Sequence, residues 1–488
     1  MQKQNHVRDA IERFLAAART RRDAVRWVIV GGIATTLAAP PDATDAANRK
    51  KRRRRRRRNR RRCPGGKTRC GGTCVDTQTD LQNCGACFKD CDDDEVCRNG
   101  DCVERACTVC DDDDECAFQS VQAAIAAAAP GSVISICEGT YRENIVIDKD
   151  IELRGAGVDD VTLRGASPGP ASIIVVKRSV TASVSGVSIT GGTGTVDPNL
   201  RVLAGGGIYL EGLASLTLTD SSVEDNEAEL GAGIFCNNVS RLTLKNTEVV
   251  AHTAVAGAPN RQTFGGGIYA RPGADLQILE SSIVAVNEAD IGAGIYNQGV
   301  VTMTDSTLSG NEARFDGGGI VNDGGVTQLI HALVGRNTAS TRGGGIHVDG
   351  GRLDASSGTI IEENKGGAGG GVNVSSAGNC FTTDTVIRRN EAKDDGGGIY
   401  SEGGLITLVR TEVVDNDADE RGGGIFNGNG PLSTGTLSLQ ESDVRENKAG
   451  ETGGGIFSVP NASVTVDANS SVRDNDPNNC VGTNACNA

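Results

Sequence analysis

The groups able to do chemistry fall into three sets. The first is acidic: adjacent carboxylates at Asp159-Asp160 and Asp394-Asp395, and runs at Asp92–Glu95 and Asp111–Glu115. Two carboxylates at a set separation can act as acid and base, and clustered carboxylates attract calcium. Adjacent side chains on a strand point to opposite faces, so neither pair converges by itself. The acidic runs lack the alternating ligands and turn glycine of a calcium loop and read as solvated loops, with calcium the one ion left open as a cofactor. The second set is Cys84-x2-Cys87-x19-Cys107-x2-Cys110, a zinc-ribbon spacing. Seven more cysteines interleave or flank these between Cys63 and Cys116 with no His nearby, so disulfides are expected there and no metal. The third set is the four His, of which His331 and His347 read as solvent-facing strand residues. No residue set identifies a catalytic centre.

The elements that must carry these groups follow from composition. Of 488 residues, 67 are Gly and only 3% are Phe, Trp or Tyr, which argues against a compact, aromatic-rich enzyme core. Residues 49 to 62 hold 13 positive side chains among 14. The first 62 residues hold 20 of the 49 basic groups and 5 of the 63 acidic ones, leaving 29 and 58, a net of −29, for residues 63 to 488. So acidic a body repels nucleic acid, and no nucleic-acid partner is expected. The basic run reads as a self-repelling linker, with attachment to an anionic envelope polymer or lipid as the sharper alternative.

The chain opens on an address-like segment. Arg21-Arg22 precedes Trp27 to Ala39, thirteen mostly apolar residues, then Pro40-Pro41. Thirteen residues make about 20 Å of helix, short for a membrane span and suited to the apolar region of a signal peptide. An uncleaved helical anchor is the competing reading. The arginine pair resembles a twin-arginine export signal, with Ala24 where that pattern carries Phe. Residues 1–39 are therefore expected to be a signal segment, 40–62 a basic disordered linker and 63–116 a disulfide module. No transmembrane span is expected in the mature chain, whose place is extracellular or at the cell surface.

A repeat governs the remainder. From residue 205 a Gly phrase recurs, followed by Ile208, Ile234, Ile268, Ile295, Ile320, Ile346, Val372, Ile399, Ile425 and Ile456. The successive gaps in numbering are 26, 34, 27, 25, 26, 26, 27, 26 and 31, one structural unit per period. Apolar residues alternate with Thr or Ser, as in Leu216-Thr-Leu218 and Ile406-Thr-Leu408, a strand pattern with no sustained helical period. Three short strands fit one such unit, and stacked units bury a continuous apolar column. An Asn usually stands between Gly phrases and once after the last: Asn226, Asn287, Asn311, Asn337, Asn364, Asn390, Asn416, Asn447 and Asn475. These read as a structural ladder at corners where Asn tolerates left-handed backbone, with His252 near the missing rung.

Three resemblances sharpen the reading. Ser309-Gly-Asn311-Glu-Ala313 leading to Gly317-Gly-Gly-Ile320 resembles the repeats of bacterial surface β-helix proteins, including polymorphic outer-membrane proteins. Phe118-Gln-Ser-Val-Gln-Ala-Ala-Ile125, Pro130-Gly131, Gly139-Thr140-Tyr141 and Glu143-Asn144 are similar to the first coil of pectin-lyase-fold proteins. The cysteine segment, with CGGTCVD, NCGAC and NGDC, resembles a short secreted bacterial Cys-rich module. Together these imply an all-β, right-handed parallel β-helix over residues 117–488, with one repeat period per coil, plugged at its start by a short helix near Ser120 to Ala129. Disulfide candidates are Cys63, Cys70, Cys74, Cys84, Cys87, Cys91, Cys97, Cys102, Cys116, Cys137, Cys480 and Cys486. Cys116 with Cys137 would pin the helical cap, and Cys480 with Cys486 would close the far end. Pectin-lyase-fold proteins include polysaccharide lyases and hydrolases, so such an enzyme is the alternative function. No Gly-His-Gly or Arg-x-Lys stands beside the acids here to support it.

The residue after each inward Ile should face outward: Tyr209, Phe235, Tyr269, Tyr296, Val321, His347, Asn373, Tyr400, Phe426 and Phe457. The aromatic members would make two stripes suited to stacking on sugar rings. A covering loop, or an inward placement, is the competing reading. The expected role is an adhesin-like scaffold that associates with polysaccharide or a cell-envelope polymer.

Overall fold

The computed structural model describes residues 63, 67–71, 73–78, 80, 82–90, 95–98, 100–104, 107–111, 116–166, 169–428, 434–483 and 485–487. The expected signal segment, the basic linker and Cys91 lie outside the described residues, as does the Cys97 side chain. The chain divides into two compact units, residues 1–108 and 109–488. The second unit therefore starts at Val109, ahead of the expected 117, because Val109 bridges Phe118 and Ile136 and is itself buried in the column.

The first unit is built on two hairpins, Thr68–Cys70 with Thr73–Val75 and Glu95–Arg98 with Asp101–Glu104. Disulfides join Cys63 to Cys74 and Cys70 to Cys87, and Cys84, Cys102 and Cys107 are disulfide-bonded as well. With so little apolar surface to bury, cross-links supply what a core would.

The second unit is a parallel β-helix. Three 13-stranded sheets run its length: the first from Ile145–Ile147 to Cys480–Val481, the second from Val133–Ile136 to Ser463–Val466, the third from Gly139–Arg142 to Ser471–Arg473. Coils stack in register, so that Ile208 pairs with Ile174 below and Ile234 above. In the second sheet the alternation is local and visible: Leu216 and Leu218 are buried while Ser215, Thr217 and Thr219 are half exposed. The inward residues of all three sheets merge into one apolar column reaching from Val109 to Ile456. A fourth, nine-stranded sheet of short segments, Glu227–Ala228 to Lys448–Ala449, forms arms that leave the third sheet and return through the Gly phrase.

Asn side chains join these coils. The Asn287 backbone N–H and Nδ2 both donate to Asn311 Oδ1, at 3.1 and 2.9 Å, and Asn311 does the same to Asn337 Oδ1 at 3.0 and 2.9 Å. His252 occupies a rung: its Nδ1 accepts from the Asn226 N–H at 3.1 Å, and its own N–H donates to Asn287 Oδ1 at 3.1 Å. The left-handed backbone sits one residue earlier than expected, at Asp225, Val286, Arg336 or Glu363, and not on the Asn. The Gly phrase is explained by the same ladder. Gly317 turns at φ 62°, and a Cβ on Gly294 would lie 2.5 Å from the Gly319 carbonyl oxygen and 3.0 Å from Asn311 Nδ2.

Both ends are closed. The helix Val121–Ala127 buries Val121, Ala124 and Ile125, and the Glu143 carboxylate accepts from the Val121 and Gln122 N–H groups at 2.8 and 3.0 Å. Glu143 thus satisfies donors that a helix start leaves orphaned. Cys116 bonds to Cys110 and not to Cys137, because the strand-like segment starting at Val109 brings Cys110 alongside it; Cys137 is disulfide-bonded too. Cys480 bonds to Cys486, and both pack against the column end.

Candidate functional site

The outer face of the first sheet carries the row of residues that follow the inward Ile. Their side chains do lie outside the column, in separate apolar clusters. They are nevertheless covered: Tyr209, Phe235, Tyr269, Tyr296, Tyr400 and Phe426 are 0–9% exposed, and Phe457 is half-buried. Neighbouring rings stack at 4.9–5.4 Å from Tyr209 to Tyr296, and at 5.0 and 5.1 Å from Tyr400 through Phe426 to Phe457. The arms supply the cover. Leu230, Phe264 and Ile291 pack over the first stack, with Phe264 edge-on to Tyr296 at 5.0 Å, and the Arg421 guanidinium lies over Phe426 and Phe457. An open aromatic platform for sugar rings is therefore corrected to a second, thinner core.

The row opens at its N-terminal end. From Ile174 to its register partner Ile208 the numbering advances by 34, against 26 from Ile208 to Ile234, and the excess forms a loop with a small hairpin, Thr195–Val196 with Leu203–Ala204. Asp197 anchors that loop. It is 0% exposed, accepts from the Tyr209 hydroxyl at 2.6 Å, and accepts from the Asn199 and Leu200 N–H groups at 2.8 Å each. Beside it lies a pocket of about 490 Å³, within the size range of small-ligand sites. Val146, Val175 and Tyr209 from three successive coils line it, with Val196, Asn199, Lys177, Arg178, Glu211 and Asn237. Burial, then the bond to Asp197, raises the Tyr209 hydroxyl pKa well above its ordinary value, so it stays protonated as a donor.

In mid-row the stack is interrupted by Val321, His347 and Asn373, which face each other in register. His347 is 1% exposed and not the solvent-facing residue expected, because the arm pair Asp316–Arg342 lies over this stretch. Asn373 Nδ2 donates to the Ala368 carbonyl at 3.4 Å, which turns Asn373 Oδ1 toward His347 Nδ1 at 3.0 Å. The ring proton is thereby held on Nδ1, and buried Nε2 has no partner. Burial and the Arg342 charge lower the His347 pKa. The other exposed-strand expectation, His331, falls on a left-handed corner and pairs with Asp305 at 2.5 Å.

Two residues beyond this row lies a carboxylate pair that the sequence reading missed. Asp323 and Asp349 are register partners on adjacent strands. Asp323 Oδ2 accepts from the Tyr296 hydroxyl at 2.7 Å and from Gln298 Nε2 at 2.8 Å; Asp349 is exposed. The signal was present, since each Asp is the third residue after its inward Ile, but it shows only when coils are aligned one above another. The adjacent pairs do not converge: Asp159 and Asp160 are both exposed, while Asp395 is 7% exposed and held by Arg421 at 2.7 Å.

Among the described residues one cluster has metal-ligand spacing, Cys110, Cys116 and Cys137, with sulfurs within 4.8 Å. All three are disulfide-bonded and offer no thiolate. Cys236 and Cys380 are free but buried, and burial pushes each thiol up to about 12.

Residues 169–339 match the family model of the right handed beta helix region, and residues 45–106 match that of the stigma-specific STIG1-like protein family. No curated protein matches the chain. Among solved structures, the chain is similar to the mannuronan C-5 epimerase A-module of Azotobacter vinelandii, at 15% identity and TM-score 0.34, over 74% of this chain and 93% of that one. It is similar to a carrot pectin methylesterase at 11% identity and TM-score 0.28, over 63% and 83% of the two chains. An alginate lyase from Paenibacillus gives 13% identity and TM-score 0.25, over 72% and 95%. From its stacked registers and the matched region, the chain is a right-handed parallel β-helix protein with a disulfide-bonded cysteine-rich module preceding it in sequence.

Proposed function

We propose that this is an exported β-helix scaffold, adhesin-like, that associates with polysaccharide through the pocket beside Tyr209. The pocket carries the reading: an apolar floor from three coils, a donor-rich rim and a loop anchored by buried Asp197 are what a sugar, apolar on its faces and polar at its edges, requires. Export is supported by the disulfides, which persist in oxidising compartments, and by the sequence of residues 1–39. A pull-down of the full chain on a panel of neutral and acidic polysaccharides, with and without calcium, tests the association. The expected result is retention that Tyr209→Ala abolishes; the absence of retention across the panel overturns it.

A second reading rests on Asp323 and Asp349. The two Asp are register partners on adjacent coils, so their side chains leave the same face of the sheet, as the paired carboxylates of glycosidic hydrolysis must. Following new reducing ends and unsaturated-product absorbance over the same panel separates the two. Cleavage that disappears in Asp323→Asn would make the protein an enzyme.

A further inference from the structure

We infer that the pocket reads an anionic glycan, with the Arg178 guanidinium as the group that binds its carboxylate; this rests on the polysaccharide-binding reading of the same pocket. Charge supplies the argument. Glu211 is the acidic residue lining the pocket, and it is already satisfied: Oε1 pairs with Lys177 Nζ at 2.8 Å and Oε2 accepts from the Arg178 backbone N–H at 3.0 Å. The Arg178 side chain has no carboxylate partner among the described residues, whereas Lys177 beside it in the lining is ion-paired. The lining itself, through Lys177, Arg178 and Glu211, carries one net positive charge, while the buried Asp197 carboxylate beside it is turned to the Tyr209 hydroxyl and to backbone N–H groups.

Position agrees with charge. Arg178 stands on the turn after the strand Ile174–Val176, and its Nη1 lies 3.9 Å from where a Cβ on Gly212 would be. The missing side chain at 212 leaves the planar guanidinium room over the next coil. A guanidinium binds a carboxylate through two parallel N–H donors, which gives orientation as well as attraction. Tyr209 and the two valines of the floor would take the apolar face of the same sugar.

The test uses a tetrasaccharide of hexuronic acid, its fully methyl-esterified form and a neutral glucose tetrasaccharide as probes in calorimetric titration. The protein is the full chain with every Lys and Arg of residues 49–62 changed to Ser, so that the basic run cannot supply the charge. The expected result is binding of the acid form at least tenfold tighter than the ester, reduced at least tenfold by Arg178→Gln and partly restored by Arg178→Lys. Equal binding of acid, ester and neutral probes, indifferent to Arg178→Gln, would overturn the anionic assignment and leave the polysaccharide reading standing. Acid-form binding that survives Arg178→Gln would remove Arg178 from the site. No binding of any probe would overturn both. Arg178 is an exposed turn residue, and thermal melting of the variant checks that the fold is unchanged.

Discussion

The first sheet has two faces one residue apart, and they differ sharply. Inward, Ile208, Ile234, Ile268, Ile295, Ile320, Ile346, Val372, Ile399, Ile425 and Ile456 are all 0% exposed and nearly identical from coil to coil. Outward, the neighbouring position runs from Tyr and Phe through Val, His and Asn and back to aromatics. The column is closed on every side by the three sheets, so each coil imposes the same shape on the next. The outer row is covered only by arms and loops, whose length and residues change along the helix. Uniformity marks where the stability resides, and variation marks where recognition has room to be written.

Substitutions should break this contrast in graded steps. Ile320→Ala opens a cavity in the column and is expected to cost about 2–5 kcal/mol, read as a lowered midpoint in chemical denaturation. A cost below that of an outer-row truncation such as Val321→Ala would refute the assignment of stability to the column. Asn337→Leu strands the Asn311 N–H and the Leu308 carbonyl inside the ladder. Each buried group left unpaired costs about 1–3 kcal/mol, so the same assay should show a loss approaching that of the core variant.

His252 supplies a test with the opposite sign. Its Nε2 is buried without a partner, and burial lowers its pKa from 6.5 to about 3. The unfolded chain then binds a proton that the folded chain refuses between those two values. Its contribution is complete above about 6.5 and is lost as pH falls toward about 3. His252→Asn restores the rung, so melting temperature should rise near neutral pH and fall less on acidification to pH 4; an unchanged acid slope would sink this account. The smallest effect is expected for Tyr296→Phe, which removes the hydrogen bond to Asp323 but keeps the ring stack, at about 0.5–1.5 kcal/mol.

Much of the fold was legible because its causes are local. The repeat period, the alternation in Leu216-Thr-Leu218 and the Asn that usually stands between Gly phrases each declare themselves within one coil or between one coil and the next. His252 stands out as the odd rung for the same reason. The site was less legible. Asp323 and Asp349 stand a full coil apart in sequence and become neighbours only when coils stack, while Asp394-Asp395, conspicuous in sequence, splits between solvent and an Arg421 ion pair. Cys116 found Cys110 and not Cys137 because a segment ahead of the expected boundary joined the first coil.

What the chain's sequence determined by itself is the coil: its length, its corners and which residues turn inward, since side-chain alternation and backbone preference act over neighbouring residues. Tertiary structure alone decided what lies over the outer face. Whether Tyr209 borders a pocket while Phe235 is sealed depends on the extra length of one coil and on the buried Asp197 that anchors it, contacts made between segments that no local pattern connects.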